Sequence, residues 1–113
     1  MKIKISPLDK LVARYVKLRD KVCQRCGGVS GLQTAHFHSR RKRSVRYDPD
    51  NVCLLCFGCH SYLDGNPIEK VEFFKQRLGD KFDLLQARER VTYPKPDKKL
   101  IELYLKSKIQ EVE

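Results

Sequence analysis

The sequence predicts an α+β fold, a small cysteine-stapled core of two strands and a short helix, with one helix before it and a helical extension behind it. Three observations predict this. All five cysteines lie between positions 23 and 59, as Cys23-x-x-Cys26 and then Cys53-x-x-Cys56-x-x-Cys59. Apolar residues recur at helical spacing on both flanks of that region, while two short strand-like runs lie inside it. The chain has 113 residues, the size of one domain. A chain of that length buries roughly 65% of its unfolded surface, so cross-links would help it. The organisation expected is one domain over 1–113, with a helix at 7–20, a core at 21–66 and helices over 67–113.

Pro7 to Asp20 reads as a helix because Leu8, Leu11, Val12, Tyr15 and Val16 share a face and Ser6-Pro7 is a start signal. Cys23 to Gly28 reads as a tight knuckle whose glycines let backbone NH groups turn toward sulfur. Leu32 to His38 reads as a first strand. Ser39 to Tyr47 reads as a cationic loop, Asp48-Pro49-Asp50-Asn51 as a turn and Val52 to Leu55 as a second strand. Cys59 to Leu63 opens a short helix stopped by Asp64-Gly65-Asn66. Pro67 to Leu78 follows, with Ile68, Val71, Phe74 and Leu78 on one face and Gly79 as its stop. Asp80 is expected to cap a helix containing Phe82, Leu84, Leu85 and Ala87. Tyr93-Pro94-Lys95-Pro96 breaks the chain, and Asp97 caps a last helix with Leu100, Ile101, Tyr104, Leu105 and Ile109.

Composition narrows the class. With 41% hydrophobic and 34% charged residues, the chain is globular rather than disordered. No apolar run is long enough to span a membrane, and the first residues have no secretory pattern, so a cytoplasmic location is expected. An odd number of cysteines without a secretion signal argues against a disulfide framework. Cysteine pairs two residues apart suit a structural zinc, because each short loop aims two sulfurs at one ion. On spacing alone, Cys53 with Cys56 is as good a pair as Cys56 with Cys59.

The net charge is +10. Residues 1–50 hold 13 basic and 4 acidic residues, a balance of +9, so nearly all the excess sits there. A localised cationic excess suits a polyphosphate partner such as nucleic acid. Arg40, Arg41, Lys42, Arg43 and Arg46 crowd into seven residues and would repel one another without a counter-charge, which favours phosphate contact. All three histidines lie near the cysteines: His36 and His38 on the first strand, and His60 directly after Cys59. Zinc needs only the thiols, so the histidines are free for proton transfer or for a second, divalent metal. The Asn51 carbonyl can hold an imidazole NH. Together these parts match metal-assisted phosphodiester hydrolysis.

The spacing of Cys23-x-x-Cys26, His36, Asn51 and Cys56-x-x-Cys59-His60 resembles the HNH endonucleases with the ββα-metal, treble-clef-like fold. The stretches Gln33-Thr34-Ala35-His36-Phe37, Arg46-Tyr47-Asp48-Pro49-Asp50-Asn51-Val52 and Gly65-Asn66 look particularly like phage NinG-type recombination nucleases and related phage HNH proteins. The resemblance covers about residues 20–80. It implies that His36 is the general base, that Asn51 orients the His36 ring, and that His60 binds a catalytic divalent ion. Magnesium or manganese is the first choice for that ion, with nickel or zinc as alternatives. It also implies that Cys23, Cys26, Cys56 and Cys59 hold the structural zinc, which leaves Cys53 as a small buried apolar residue. DNA is the implied substrate, cut to 5′-phosphate and 3′-hydroxyl ends, in a phage or prophage setting. Arg40 and Arg46 resemble family positions flanking the loop.

One departure stands out. Many HNH enzymes carry a metal-binding acid or histidine immediately before the base, and here that residue is Ala35. His38 would share a strand face with His36 and is the candidate replacement ligand, or else a phosphate contact. The alternative from another class is a non-catalytic zinc-stabilised DNA-binding module. A protein-interaction zinc domain, with the helical tail as its docking surface, is a further rival. A monomer or weak dimer is expected.

Overall fold

The computed structural model describes residues 3–91 and 97–113. The break expected at Tyr93 to Pro96 lies outside them. The elements are α1 (Pro7–Asp20), β1 (Leu32–His36), a 3-10 turn (Pro49–Asn51), β2 (Val52–Cys56), α2 (Phe57–Asp64), α3 (Pro67–Leu78), α4 (Lys81–Glu89) and α5 (Lys98–Val112). This is an α+β architecture of five helices and a two-stranded antiparallel sheet among the described residues.

Helix α1 has the predicted bounds for a local reason. Ser6 is extended, its Oγ accepts from the Asp9 NH, and Asp9 Oδ2 accepts from the Ser6 NH at 2.7 Å. This reciprocal capping box, with Pro7 at the first position, stabilises the helix by about 1 kcal/mol. The strands pair with Leu32 opposite Cys56 and His36 opposite Val52. Successive side chains of a strand point to opposite faces, and β2 is buried on both. Val52 and Leu54 pack with Val12, Val16 and Leu105 of α1 and α5. Cys53 and Leu55 pack with Ala35, Leu63, Phe74 and Phe82 on the side of α2, α3 and α4. A two-stranded sheet is marginal alone, and here helices cover both faces.

Several expectations are corrected. Strand β1 ends at His36 instead of His38. Phe37 turns its ring into a cluster with Phe74 and Phe82, at centroid distances of 5.1 and 5.4 Å. The turn expected over Asp48 to Asn51 is present, as one 3-10 turn with Asp48 accepting from the Asp50 NH. Helix α2 begins at Phe57, two residues before the expected Cys59, because Cys56 itself occupies the cap. Ile68 on α3 is 80% exposed, and Val71, Leu84, Leu100 and Tyr104 are also exposed. Each of these helices packs a narrower stripe than its apolar pattern predicts. Asp80 sits at the cap position of α4 with helical backbone and no side-chain bond, whereas Asp97 does cap α5.

A buried ionic knot ties the layers together. Asp20 accepts from Arg19 Nε at 2.7 Å, from Arg77 at 3.1 Å and from the Leu54 NH at 2.9 Å. Arg19 also donates to the carbonyls of Val52 and Pro49. One carboxylate thus joins α1, β2 and α3, and Arg19 extends the link to the 3-10 turn.

Candidate functional site

Two tight turns bring four thiols together. In the first, the Gly27 NH bonds the Cys23 carbonyl, the Cys26 NH points to Cys23 Sγ, and the Gly28 NH points to Cys26 Sγ. Gly27 has a φ of 78°, a left-handed conformation that favours glycine. In the second, Cys56 ends β2 and caps α2, accepting from the Cys59 NH. The sulfurs of Cys23, Cys26, Cys56 and Cys59 all lie within 4.8 Å of one another. Cys26 Sγ and Cys56 Sγ are 3.7 Å apart. Zinc bonds of about 2.3 Å in a tetrahedron require roughly 3.8 Å between sulfurs, so the four thiols fit one zinc ion and could hold it.

The electrostatics agree with a cation seat. Burial opposes ionisation of Cys23, but backbone NH groups of Cys26, Cys56 and Arg25 converge on its sulfur and bring the thiol down to about 6. Arg25 Nη1, 3.4 Å from Cys59 Sγ, favours that thiolate, yet burial and the three neighbouring thiols outweigh it and push Cys59 up to about 11. One thiolate in the cluster therefore obstructs the next, and a divalent ion relieves that repulsion. Cys53 is outside the cluster. It faces Ala35 across the strand pair, and burial pushes its thiol up to about 12. Residues three apart on a strand point to opposite faces, which is why Cys53 cannot join Cys56 on one ion.

The histidines divide into three environments. His36 ends β1 and is half-buried. Burial first, and then the charge of Arg40, lower its imidazole from 6.5 to about 4; Lys70 and His60 add to this and Asp9 opposes it. The ring is neutral at physiological pH, and burial contributes more to this than the nearby arginine does. His38 lies beyond the strand end, and its Nε2 is bonded to Gln86 Oε1 of α4. His60, on the first turns of α2, has Nδ1 2.7 Å from Gln33 Oε1 and Nε2 3.3 Å from Asp64 Oδ2. Asn51 is fully buried, and its side chain does not hold the His36 ring. Instead Oδ1 accepts from the His38 NH at 2.7 Å and Nδ2 donates to the His38 carbonyl at 2.9 Å. Both ends of the amide are used, so Asn51 clamps the backbone just after His36.

The cationic segment is a series of turns anchored by Val45, which is fully buried. Arg46 is not a loose cation. It donates to both Asp9 oxygens and to the Lys4 carbonyl, fastening the segment to α1. Arg40 is half-buried near His36, while Arg41, Lys42 and Arg43 are exposed. Lys42 is 3.5 Å from Glu89. Sequence reasoning passed over Gln33, Asp64 and Lys70 around His60, and Asp9 beneath Arg46. The four-residue spacing of His60 and Asp64 was the available signal for one of them. The chain matches no family model, no curated protein and no solved structure. Among the described residues, no helix is long and apolar enough to cross a membrane.

Proposed function

We propose that the chain is a metal-dependent endonuclease of the HNH type that hydrolyses DNA phosphodiester bonds, in phage or prophage recombination or DNA processing. The observation that carries this reading is the four-thiol seat at the junction of β2 and α2, with half-buried His36 at the end of β1 and His60 on α2. His60 and Lys70 lie near enough for their charges to act on the His36 ring. In this reading His36 takes the proton from the attacking water. Its low basicity keeps it unprotonated and ready at neutral pH, at some cost in driving force. Asn51 holds the backbone that follows His36, so the ring keeps its place at the strand end. His60 offers a nitrogen to the catalytic ion. When bound, magnesium or manganese supplies positive charge to the scissile phosphate and the leaving 3′ oxygen. Arg40, Arg41, Lys42, Arg43 and Arg46 carry the phosphate contacts, Arg46 being also fastened to Asp9. The four thiols hold the structural zinc that fixes the relation of strand to helix.

The test is plasmid nicking with and without magnesium or manganese, run beside His36→Ala at equal zinc content. Conversion of supercoiled to open-circle DNA by the wild type, reduced by roughly 10²–10⁴ in the variant, is the expected result. The second reading is a non-catalytic zinc-stabilised DNA-binding module. Ala35 in the core, which offers no ligand atom, and the engagement of His38 Nε2 by Gln86 favour it. Salt-sensitive binding with no conversion by any metal would establish that module and end the nuclease reading.

A further inference from the structure

We propose that the cleft beside the free edge of β2 binds a nucleotide, with the base against tyrosine and guanidinium surfaces and the phosphate on Arg43 and Lys81. The cleft has a volume of about 880 Å³, within the range of small-molecule sites. Arg19 and Gln24 are part of its wall. Arg19 Nη2 donates to the Val52 carbonyl and the Gln24 NH bonds the Leu54 carbonyl, on the edge of β2 that turns away from β1. His36, His38 and His60 lie outside its lining. The site is therefore separate from the histidines and stands independently of the nuclease reading.

Charge in the cleft selects an anion. Six basic and two acidic residues line it. Both acids are already engaged, because Arg88 Nε bonds Asp48 Oδ2 at 2.6 Å and Nη2 bonds Asp50 Oδ2 at 3.1 Å. Arg19 and Arg77 share Asp20. Arg43 of the cationic segment and Lys81 at the start of α4 are exposed and meet no carboxylate among the described residues. A phosphate monoester carries roughly −1.5 to −2 charge at neutral pH, which matches those two cations. The remaining wall selects an aromatic ring. The bonds to Asp48 and Asp50 lie in the plane of the Arg88 guanidinium and leave its flat faces for stacking. Tyr15, Tyr47 and Tyr104 add ring surface. Tyr104 is 46% and Leu100 63% exposed, so α5 carries apolar surface at the cleft that the described residues leave uncovered. Phosphate alone would use only the cations, whereas a nucleotide uses both halves of the wall.

The test is titration of the zinc-loaded full chain with deoxyadenosine monophosphate, followed by amide chemical shifts, without added magnesium or manganese. Saturable shifts are expected at Tyr47, Leu78, Lys81 and Leu100 to Leu105. Deoxyadenosine and inorganic phosphate should each bind roughly 10-fold or more weakly than the nucleotide. Lys81→Met should weaken the nucleotide and leave deoxyadenosine unchanged. Tyr104→Ala should weaken both by roughly 5–100-fold. Both side chains are exposed, so neither change threatens the fold. No saturable shift, a nucleotide that binds no tighter than phosphate, or two variants equal to wild type overturns the proposal. Tighter binding of a short acidic peptide overturns it as well and assigns the cleft to a protein. A short single-stranded oligodeoxynucleotide that displaces the nucleotide identifies its source as a DNA chain, and simultaneous binding of both identifies a free nucleotide. Plasmid nicking by a chain that binds no nucleotide keeps the nuclease and removes this site; nucleotide binding without nicking does the reverse.

Discussion

At the residue scale, His36 couples chemistry to stability. Its folded-state value of about 4 lies below the ordinary 6.5, so folding opposes protonation of this ring. The contribution is complete above pH 6.5 and is lost as pH falls from there toward 4, up to about 3 kcal/mol in all. Urea melts of wild type and His36→Gln should therefore converge between pH 7 and pH 4.5, with the wild type losing more stability on acidification. Parallel pH curves would mean that the ring is solvated. Asp9 behaves oppositely in chemistry but with the same sign. Burial alone would raise its carboxyl, yet bonds from Arg46 and Ser6 win and hold it below 3.8. Its contribution is full above that value and fades in stronger acid. Arg46 therefore has a part in folding beside the DNA contact proposed for its cationic run. The charge pattern of residues 40–46 is visible in the sequence, but Asp9 lies 37 residues from Arg46, and no local rule pairs them.

At the element scale, the β1–β2–α2 unit depends on the thiols. Few apolar groups fix the first knuckle, where Gln24, Arg25, Cys26 and Gly27 are exposed. A metal held there contributes folding free energy on the order of 10 kcal/mol in comparable peptides. Purified protein should carry one zinc per chain. Chelation, or Cys56→Ala, should melt the strands and α2 while the α1 capping box still supports residual helicity. Circular dichroism with zinc content measures both, and full near-ultraviolet structure in metal-free protein would refute the dependence. The thiol pairing itself was readable as two Cys-x-x-Cys turns. The choice between Cys53 and Cys59 as partner of Cys56 was not readable from spacing, since only the strand's alternation turns Cys53 toward Ala35. Helix bounds for α1 and α3 were readable because Ser6-Pro7, Pro67 and Gly79 act through adjacent backbone groups. The end of β1 was not, because it is set by Phe37 entering a cluster with rings from α3 and α4.

At the scale of the whole molecule, Asp20 is the crossing point of both layers. Its side chain is 3% exposed and is the shared counter-charge of two guanidiniums. Asp20→Asn leaves those cations without their counter-charge and should cost about 3–5 kcal/mol, read as a lower denaturant midpoint. A midpoint unchanged within error would show that the knot adds nothing. The charge distribution gives a second test. Replacing Arg41, Lys42 and Arg43 together by alanine should flatten the dependence of log affinity for DNA on log salt, by about 0.9 for each phosphate no longer neutralised. Arg46→Ala should instead lower stability with a smaller change in that slope. Equal slopes for the wild type and the triple variant would remove the loop from the interface.

The sequence by itself determined the α+β order of elements, the two thiol turns, the cationic segment and the grouping of histidines near the cysteines. Those follow from caps, turns, spacing and charge, which act over a few residues. Tertiary structure decided what each polar side chain does. It turned Asn51 onto the His38 backbone, His38 onto Gln86, Arg46 onto Asp9 and His60 toward Asp64. All but the last of these pairings depend on elements brought together by folding. A buried or half-buried polar group must find a partner there, and which partner it meets is set by how the sheet and helices pack.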